Sequence, residues 1–218
     1  MSNPADAWQA PTLGENLARA GVTRRDFLAF CGALAGFFAL GPGGPKASAE
    51  EIADKLEAVT KPNVVWLQLQ ECTGCMESAL RSGGTTVEEV VLRLLSVNYN
   101  ELVMAAAGDS ANRALEQTNA EPHILVVNGS VPLADGGIYC TIGGESAEEV
   151  LRKSAQNASA ILAVGACAVW GSVQASKPNP TGAVGVDEII RDKPVVNVAG
   201  CPPIGEVITA TVAYLLTH

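Results

Sequence analysis

Apolar and polar positions along the chain follow two alternating periods. Asn63 to Gln70 (NVVWLQLQ) is a nearly unbroken apolar run bounded by Lys61-Pro62, the pattern of a buried strand. Similar short runs predict strands at Asn100 to Ala106 (NELVMAA), His123 to Val127 (HILVV), Ala160 to Gly165 (AILAVG) and Val195 to Ala199 (VVNVA). Between them the apolar spacing becomes helical. Helices are predicted over 50–59, 75–81, 86–95 with Thr86 as cap, 110–117, 146–156, 186–191 and 203–216. Ser146 and Glu149 stand in capping-box relation, and Pro203 opens the last helix. The glycine-rich stretch 136–144 and the Gly/Pro/Ser-rich stretch 167–185 read as loops.

Strands that alternate with helices, and that are apolar on both faces, predict an α/β fold. The expected form is a flavodoxin-like, doubly wound parallel sheet with helices on both faces. Sites in such sheets lie beyond the carboxyl ends of the strands.

The first 49 residues follow a different logic. Thr23-Arg24-Arg25-Asp26-Phe27-Leu28 is a twin-arginine pattern, Ala29 to Leu40 is apolar, Gly41 to Pro45 is a breaker, and Ala47-Ser48-Ala49 is an A-x-A cleavage site. The apolar run is short and glycine-rich for a bilayer span. Residues 1–49 are therefore expected to be a twin-arginine signal peptide, and 50–218 the folded domain. The twin-arginine route carries folded proteins, which suits a cofactor inserted before export. No later run is long and apolar enough to cross a membrane.

Charge narrows the partners. The formal net charge is −9, with 14 basic and 23 acidic residues, and aromatics make up 5% of the chain. There is no basic stripe and little material for base stacking, so a nucleic-acid partner is not expected. With two histidines, one of them terminal, acid–base catalysis by this chain has little to work with.

The cysteines carry the chemistry. Cys72 and Cys75 form a C-x-x-C directly after the first strand, a pattern compatible with half a zinc site, a redox disulfide or part of an iron–sulfur cluster. Cys167 follows the fourth strand and Cys201 the fifth. A parallel sheet brings these strand ends to one edge, where four thiolates can converge. Gly74, Gly165 and Gly200 flank them and would let backbone N–H groups donate to sulfides. Cys201-Pro202 repeats the Cys-Pro ending of ferredoxin-type ligation. Structural zinc more often uses two C-x-x-C knuckles, so the cluster is favoured. Cys140 lies outside the strand-end pattern and reads as a structural thiol, Cys31 belongs to the leader, and His123 begins a strand and reads as structural. There is neither a complete phosphate loop nor a credible Ser/His/Asp set.

The segments ECTGCMES at 71–78, GACAVWGSVQASKPNPTGAVGV at 165–186 and VAGCPPIGEV at 198–207, together with the leader, resemble the small subunit of nickel–iron uptake hydrogenases. The resemblance implies that Cys72, Cys75, Cys167 and Cys201 hold a proximal 4Fe–4S cluster. It also implies that the chain passes electrons from hydrogen oxidation at a nickel–iron large subunit, and that it is not catalytic alone. Glu71 and Glu77 would then face that subunit. Oxygen-tolerant members carry two extra cysteines at positions that match Gly74 and Ser172, so this chain resembles the four-cysteine type. Family members continue into a second domain with a medial 3Fe–4S and a distal 4Fe–4S cluster. No cysteine follows Cys201 here, and those two clusters are expected only if that domain exists. The resemblance further implies the Tat export machinery and a membrane cytochrome b as partners, in the periplasm or on the outer face of the cytoplasmic membrane. The alternatives are the related cluster subunit of respiratory complex I, a zinc-stabilised module, a non-functional truncation, or a C-x-x-C dithiol oxidoreductase, which leaves Cys167 and Cys201 unexplained.

Overall fold

A computed structural model of the chain describes residues 12–19, 21–40, 47–59, 62–82 and 96–217. These fall into two units by contact. One is drawn from Met1–Pro62, Gly84–Ser96 and Ala210–His218, the other from Asn63–Gly83 and Val97–Thr209.

The first unit carries three helices, α1 (Leu13–Arg19), α2 (Arg24–Ala39) and α3 (Ala49–Glu57). Thr23 caps α2 by accepting from the Asp26 backbone N–H, and Ser48 and Glu51 form a full capping box at α3. α2 buries Phe27, Cys31, Leu34 and Phe38, a stripe at helical spacing, and it packs on α3. Phe38 meets the ring of Tyr214 edge-on at 5.1 Å. Among the described residues no helix is long and apolar enough to cross a membrane.

The second unit is built on a sheet. In chain order its elements are β1 (Asn63–Gln68), α4 (Gly74–Leu80), β2 (Ser96–Asn100), α5 (Asp109–Asn119), β3 (His123–Asn128), β4 (Val131–Pro132), β5 (Thr141–Ile142), β6 (Glu145–Ser146), α6 (Ala147–Ala155), β7 (Ala158–Val164), α7 (Ala166–Trp170), β8 (Ala183–Val184), α8 (Val186–Ile189), β9 (Val195–Val198) and α9 (Gly205–Thr217), the last running on into the residues grouped with the first unit. Five strands form one sheet in the order β2-β1-β3-β7-β9, and the pairings β1–β3, β3–β7 and β7–β9 are parallel. Counted along the chain this is the order 2-1-3-4-5 of the flavodoxin-like class. Val65, Leu67, Leu125, Val127, Ile161 and Ala163 lie on one face and share a core with residues of α5 to α8. Val64, Trp66, Ile124, Val126, Leu162 and Val164 lie on the other and are buried too. Both sets are shut from water, which is why these strands read as continuous apolar runs rather than alternating ones.

Three predicted elements differ. The second strand is Ser96–Asn100, not 100–106. Asn100 ends it, because its side-chain oxygen accepts from the backbone N–H of Leu102 and of Val103 and turns the chain. The apolar Leu102 and Val103, which suggested a strand, stand about half exposed beyond that turn. The stretch 136–144 is not all loop, because Thr141–Ile142 pairs with Glu145–Ser146 in a small hairpin. The stretch 167–185 holds most of α7, and β8, which pairs antiparallel with β4. The helix predicted over 86–95 lies outside the described residues. The capping box Ser146–Glu149 opens α6 as predicted.

Candidate metal centre

Three strand ends supply the four cysteines. β1 runs out through Leu69 and Gln70, where Gln70 forms an isolated antiparallel bridge with Ser130. Thr73 then takes a left-handed conformation (φ 67°) and starts α4, whose first turn buries Cys75 and leaves Cys72 exposed. β7 ends at Val164. Gly165 follows with φ 94°, and Cys167 sits half-buried in α7. β9 ends at Val198 and leads to the exposed Cys201.

Hydrogen bonds tie these loops together. Gly165 N–H donates to the Val198 carbonyl at 2.8 Å and Ala166 N–H to the Gly200 carbonyl at 2.6 Å. Ser78 Oγ, on α4, donates to the Pro203 carbonyl at 2.6 Å. The N–H groups of Gly165 and Ala166 are thus taken up by carbonyls. What Gly165 supplies is room, since a Cβ there would lie 2.3 Å from the Cys75 sulfur.

The four thiols sense one another. Burial is the main cause that pushes Cys75 up to about 12; the Glu71 charge adds to this, and so do Cys167, Cys72 and Cys201. Burial also raises Cys167, with Cys201 and Cys72 adding, while hydrogen bonds from Ser172 and Gln174 oppose the shift. Yet among the described residues no three His, Cys, Asp or Glu side chains gather closely enough to hold a single metal ion. Four thiols drawn from three loops are the ligand number of a 4Fe–4S cluster and of a tetrahedral ion alike. Deprotonation of a thiol such as Cys75 in this setting calls for a cationic core.

The other predicted roles sort themselves by place. Cys140 is half-buried against the core, raised by burial and then by Glu101, and it does not figure among the causes that shift Cys75 or Cys167. His123 is buried and structural: Nδ1 lies 2.8 Å from the Glu121 carbonyl and Nε2 2.9 Å from that of Ser154. His218 lies outside the described residues. Glu77 pairs with Arg81 on the exposed side of α4 at 2.6 Å. Glu71 is different: burial lifts its pKa to about 7 against the Thr73 N–H bond, and its Oε1 is buried without a partner.

Sequence reasoning missed a polar cluster at the ends of β1, β2 and β3. Glu101 accepts from the Gln68 backbone N–H at 3.2 Å and is bonded to Tyr99, and burial lifts it to about 7. Asn128 donates to Gln68 at 3.3 Å. The one available signal was polar residues interrupting apolar strands at Gln68 and Asn128. Around the cysteines, Trp170, Val173 and Ile204 stand 66%, 78% and 67% exposed, an apolar surface beside Cys167 and Cys201.

Residues 72–215 match the family described as NADH ubiquinone oxidoreductase, 20 Kd subunit. The chain is 44% identical over 209 residues to an uptake hydrogenase small subunit of Azotobacter vinelandii, covering 94% of this chain and 57% of that protein. It is 44% identical to the hydrogenase-2 small chain of Escherichia coli K12, covering 91% of this chain and 53% of that one. The chain thus spans little more than half the length of these relatives. A solved structure of the NiFeSe hydrogenase of Desulfomicrobium baculatum superposes with a TM-score of 0.69 at 30% identity, covering 73% of this chain and 63% of that chain.

Proposed function

The chain belongs to the family described as NADH ubiquinone oxidoreductase, 20 Kd subunit, and from that premise we propose that it is an electron-transfer subunit of a nickel–iron hydrogenase. Its 44%-identical relatives carry the name hydrogenase small subunit, and this supports the hydrogenase branch over the complex I one. Cys72, Cys75, Cys167 and Cys201 would hold a proximal 4Fe–4S cluster, which when bound takes up and passes on single electrons. The observation that carries this reading is the joining of the three cysteine loops at one sheet edge, through Gly165 N–H on the Val198 carbonyl, Ala166 N–H on the Gly200 carbonyl and Ser78 Oγ on the Pro203 carbonyl.

The chain's own residues would do the rest. The bonds Ala166–Gly200 and Ser78–Pro203 keep three ligand loops in register. Burial of Cys75 keeps water from one side of the site. The apolar surface of Trp170, Val173 and Ile204 suits docking to a large subunit that oxidises hydrogen. Export by the Tat machinery to the periplasm, a membrane cytochrome b as acceptor, and medial 3Fe–4S and distal 4Fe–4S clusters in a further domain complete the proposal.

The test is metal content. The full chain reconstituted with iron and sulfide should hold about four of each per chain. Cys201→Ser should lower that content and bleach the visible absorbance. Zinc bound without colour would favour an interaction module instead, and iron content unchanged in Cys201→Ser would refute the ligand set.

A further inference from the structure

The expected cleavage site is folded into the start of a helix. Of Ala47-Ser48-Ala49, Ser48 is the N-cap of α3 and Ala49 its first residue, so the Ala49–Glu50 bond lies in the first helical turn. Three hydrogen bonds close that turn. Ser48 Oγ accepts from the Glu51 N–H at 3.2 Å, the Glu51 carboxylate accepts from the Ser48 N–H at 2.8 Å, and the Ser48 carbonyl accepts from the Ile52 N–H at 3.1 Å. Packing holds the other side. α3 turns Ile52, Ala53 and Leu56 inward, each 1% exposed or less, and α2 packs on it with Phe27, Cys31, Leu34 and Phe38 buried. α2 meets α3 at both ends. At the far end Arg24 lies 4.0 Å from Glu57. At the near end a Cβ on Gly32 would lie 3.9 Å from the Cβ of Ala49, so the half-buried Ala49 side chain already rests against α2. A peptidase that reads A-x-A takes up its substrate as an extended strand, held by main-chain bonds on either side of the bond it cuts. A helical turn cannot be held that way. Cutting requires the turn to open, and its rate follows the population of the open form.

We propose that the α2–α3 pair guards the Ala49–Glu50 bond, so that the chain is cut there only after α2 has been drawn off α3. This rests on the proposed export of the chain, with residues 1–49 as its signal. The partner that opens the pair is the receptor for the twin-arginine pattern. Arg24 and Arg25 stand in the first turn of α2, and a receptor that takes Arg24 removes it from Glu57. Processing is thereby ordered after engagement. In the cut itself water adds across the Ala49–Glu50 peptide bond, leaving a carboxylate on Ala49 and a free amino group on Glu50. The cut removes both Ser48, the cap of α3, and α2, the cover of its inward face.

The experiment digests the full chain with an elastase, which cuts after small residues, and follows by mass the fragment that begins at Glu50. A synthetic peptide of residues 44–55 gives the unguarded rate, and each variant is compared with a peptide carrying the same substitution. Wild type should be cut at Ala49–Glu50 about a hundredfold more slowly than its peptide. Leu34→Asp puts a charge into the buried face of α2 and should bring the rate to within about tenfold of the peptide, with cuts inside the sheet unit unchanged. Ser48→Ala leaves the buried faces alone, removes the cap and should speed the cut about fivefold. Wild type cut as fast as its peptide overturns the guard, and so do two variants cut no faster than wild type. If Leu34→Asp fails to fold, Ser48→Ala decides: an unchanged rate there overturns the guard. In cells, a chain never shortened at Ala49 overturns the export reading itself, and this inference with it.

Discussion

The two units are stabilised at different ranges of sequence. In the first unit the caps are local: Thr23 with Asp26 and Ser48 with Glu51, each three residues apart. Among its longer-range contacts are Leu13 N–H on the Val59 carbonyl at 3.0 Å and the ring of Phe38 against that of Tyr214. In the sheet unit the decisive bonds cross the chain. Ser78 reaches Pro203 over 125 positions and Gln174 reaches Gln70 over 104. Local devices can start a helix wherever a few residues permit. Four sulfurs can be gathered only where the whole sheet has formed. The cysteine edge thus sits at the end of the chain's long-range order, and the helix caps can be read almost letter by letter.

The sharpest way to break this contrast is Gly165→Ala. The residue has φ 94°, and the added Cβ would meet the buried Cys75 sulfur at 2.3 Å. The strained backbone alone costs about 1–3 kcal/mol, and relief by turning Cys75 aside moves a ligand off the site. We expect the largest loss of stability among these variants, several kcal/mol by chemical denaturation, together with loss of bound iron. A stable variant with full iron content would mean that the β7 loop does not set the geometry.

How much of this was legible follows from the same contrast. The 2-1-3-4-5 sheet could be foreseen because β1, β3 and β7 are apolar on both faces, and the cysteine edge because β1, β7 and β9 end in cysteine loops. The second strand was misplaced because Leu102 and Val103 look like strand residues, and only the turn made by Asn100 shows that they are not. Gln174 gave no signal at all. It stands in a loop of small polar residues, and its bond to the Gln70 carbonyl exists only because the fold brings the two loops together. At Gly165 the sequence shows the glycine but not what it makes room for, the Cys75 sulfur on another loop.

The polar cluster gives the next effect in size, through pH. Burial raises Glu101 to about 7, above its ordinary 4.5. Between those values the folded chain keeps a proton that the unfolded chain has released. Stability therefore falls as pH rises through that window and reaches its full loss above 7, by no more than about 3 kcal/mol. Glu101→Gln should remove about half of this slope in urea unfolding measured at pH 5 and pH 8, with Glu71 supplying the other half, since it is raised to about 7 by burial as well. An undiminished slope would place the titration elsewhere.

The two capping boxes allow a matched comparison between the units. Ser48 N–H donates to Glu51 at 2.8 Å and receives in return at 3.2 Å; Ser146 and Glu149 do the same at 3.0 and 3.3 Å. Alanine at either serine should cost about 1 kcal/mol. Ser146→Ala should register in global unfolding because α6 packs in the core of the sheet unit. Ser48→Ala should register in amide exchange of α3 and leave the sheet unit's exchange unaltered. Equal loss of protection throughout the chain in both variants would show that the two units unfold as one.

The smallest effect on the fold is the one that tests residues 1–49 as an export address. Arg24 lies 4.0 Å from Glu57 with its side chain 70% exposed, a spacing and exposure at which an ion pair contributes a few tenths of a kcal/mol at most. Lysine keeps the charge, so Arg24→Lys should leave unfolding unchanged within about 0.5 kcal/mol. A receptor that reads the twin-arginine pair would still distinguish the two, because the planar guanidinium fork offers paired donors that an ammonium does not. Fractionation of cells expressing a tagged chain should then show the variant retained inside while wild type is exported. If both are exported alike, the pair is no address, and the Thr23-capped helix that carries it is simply part of the fold.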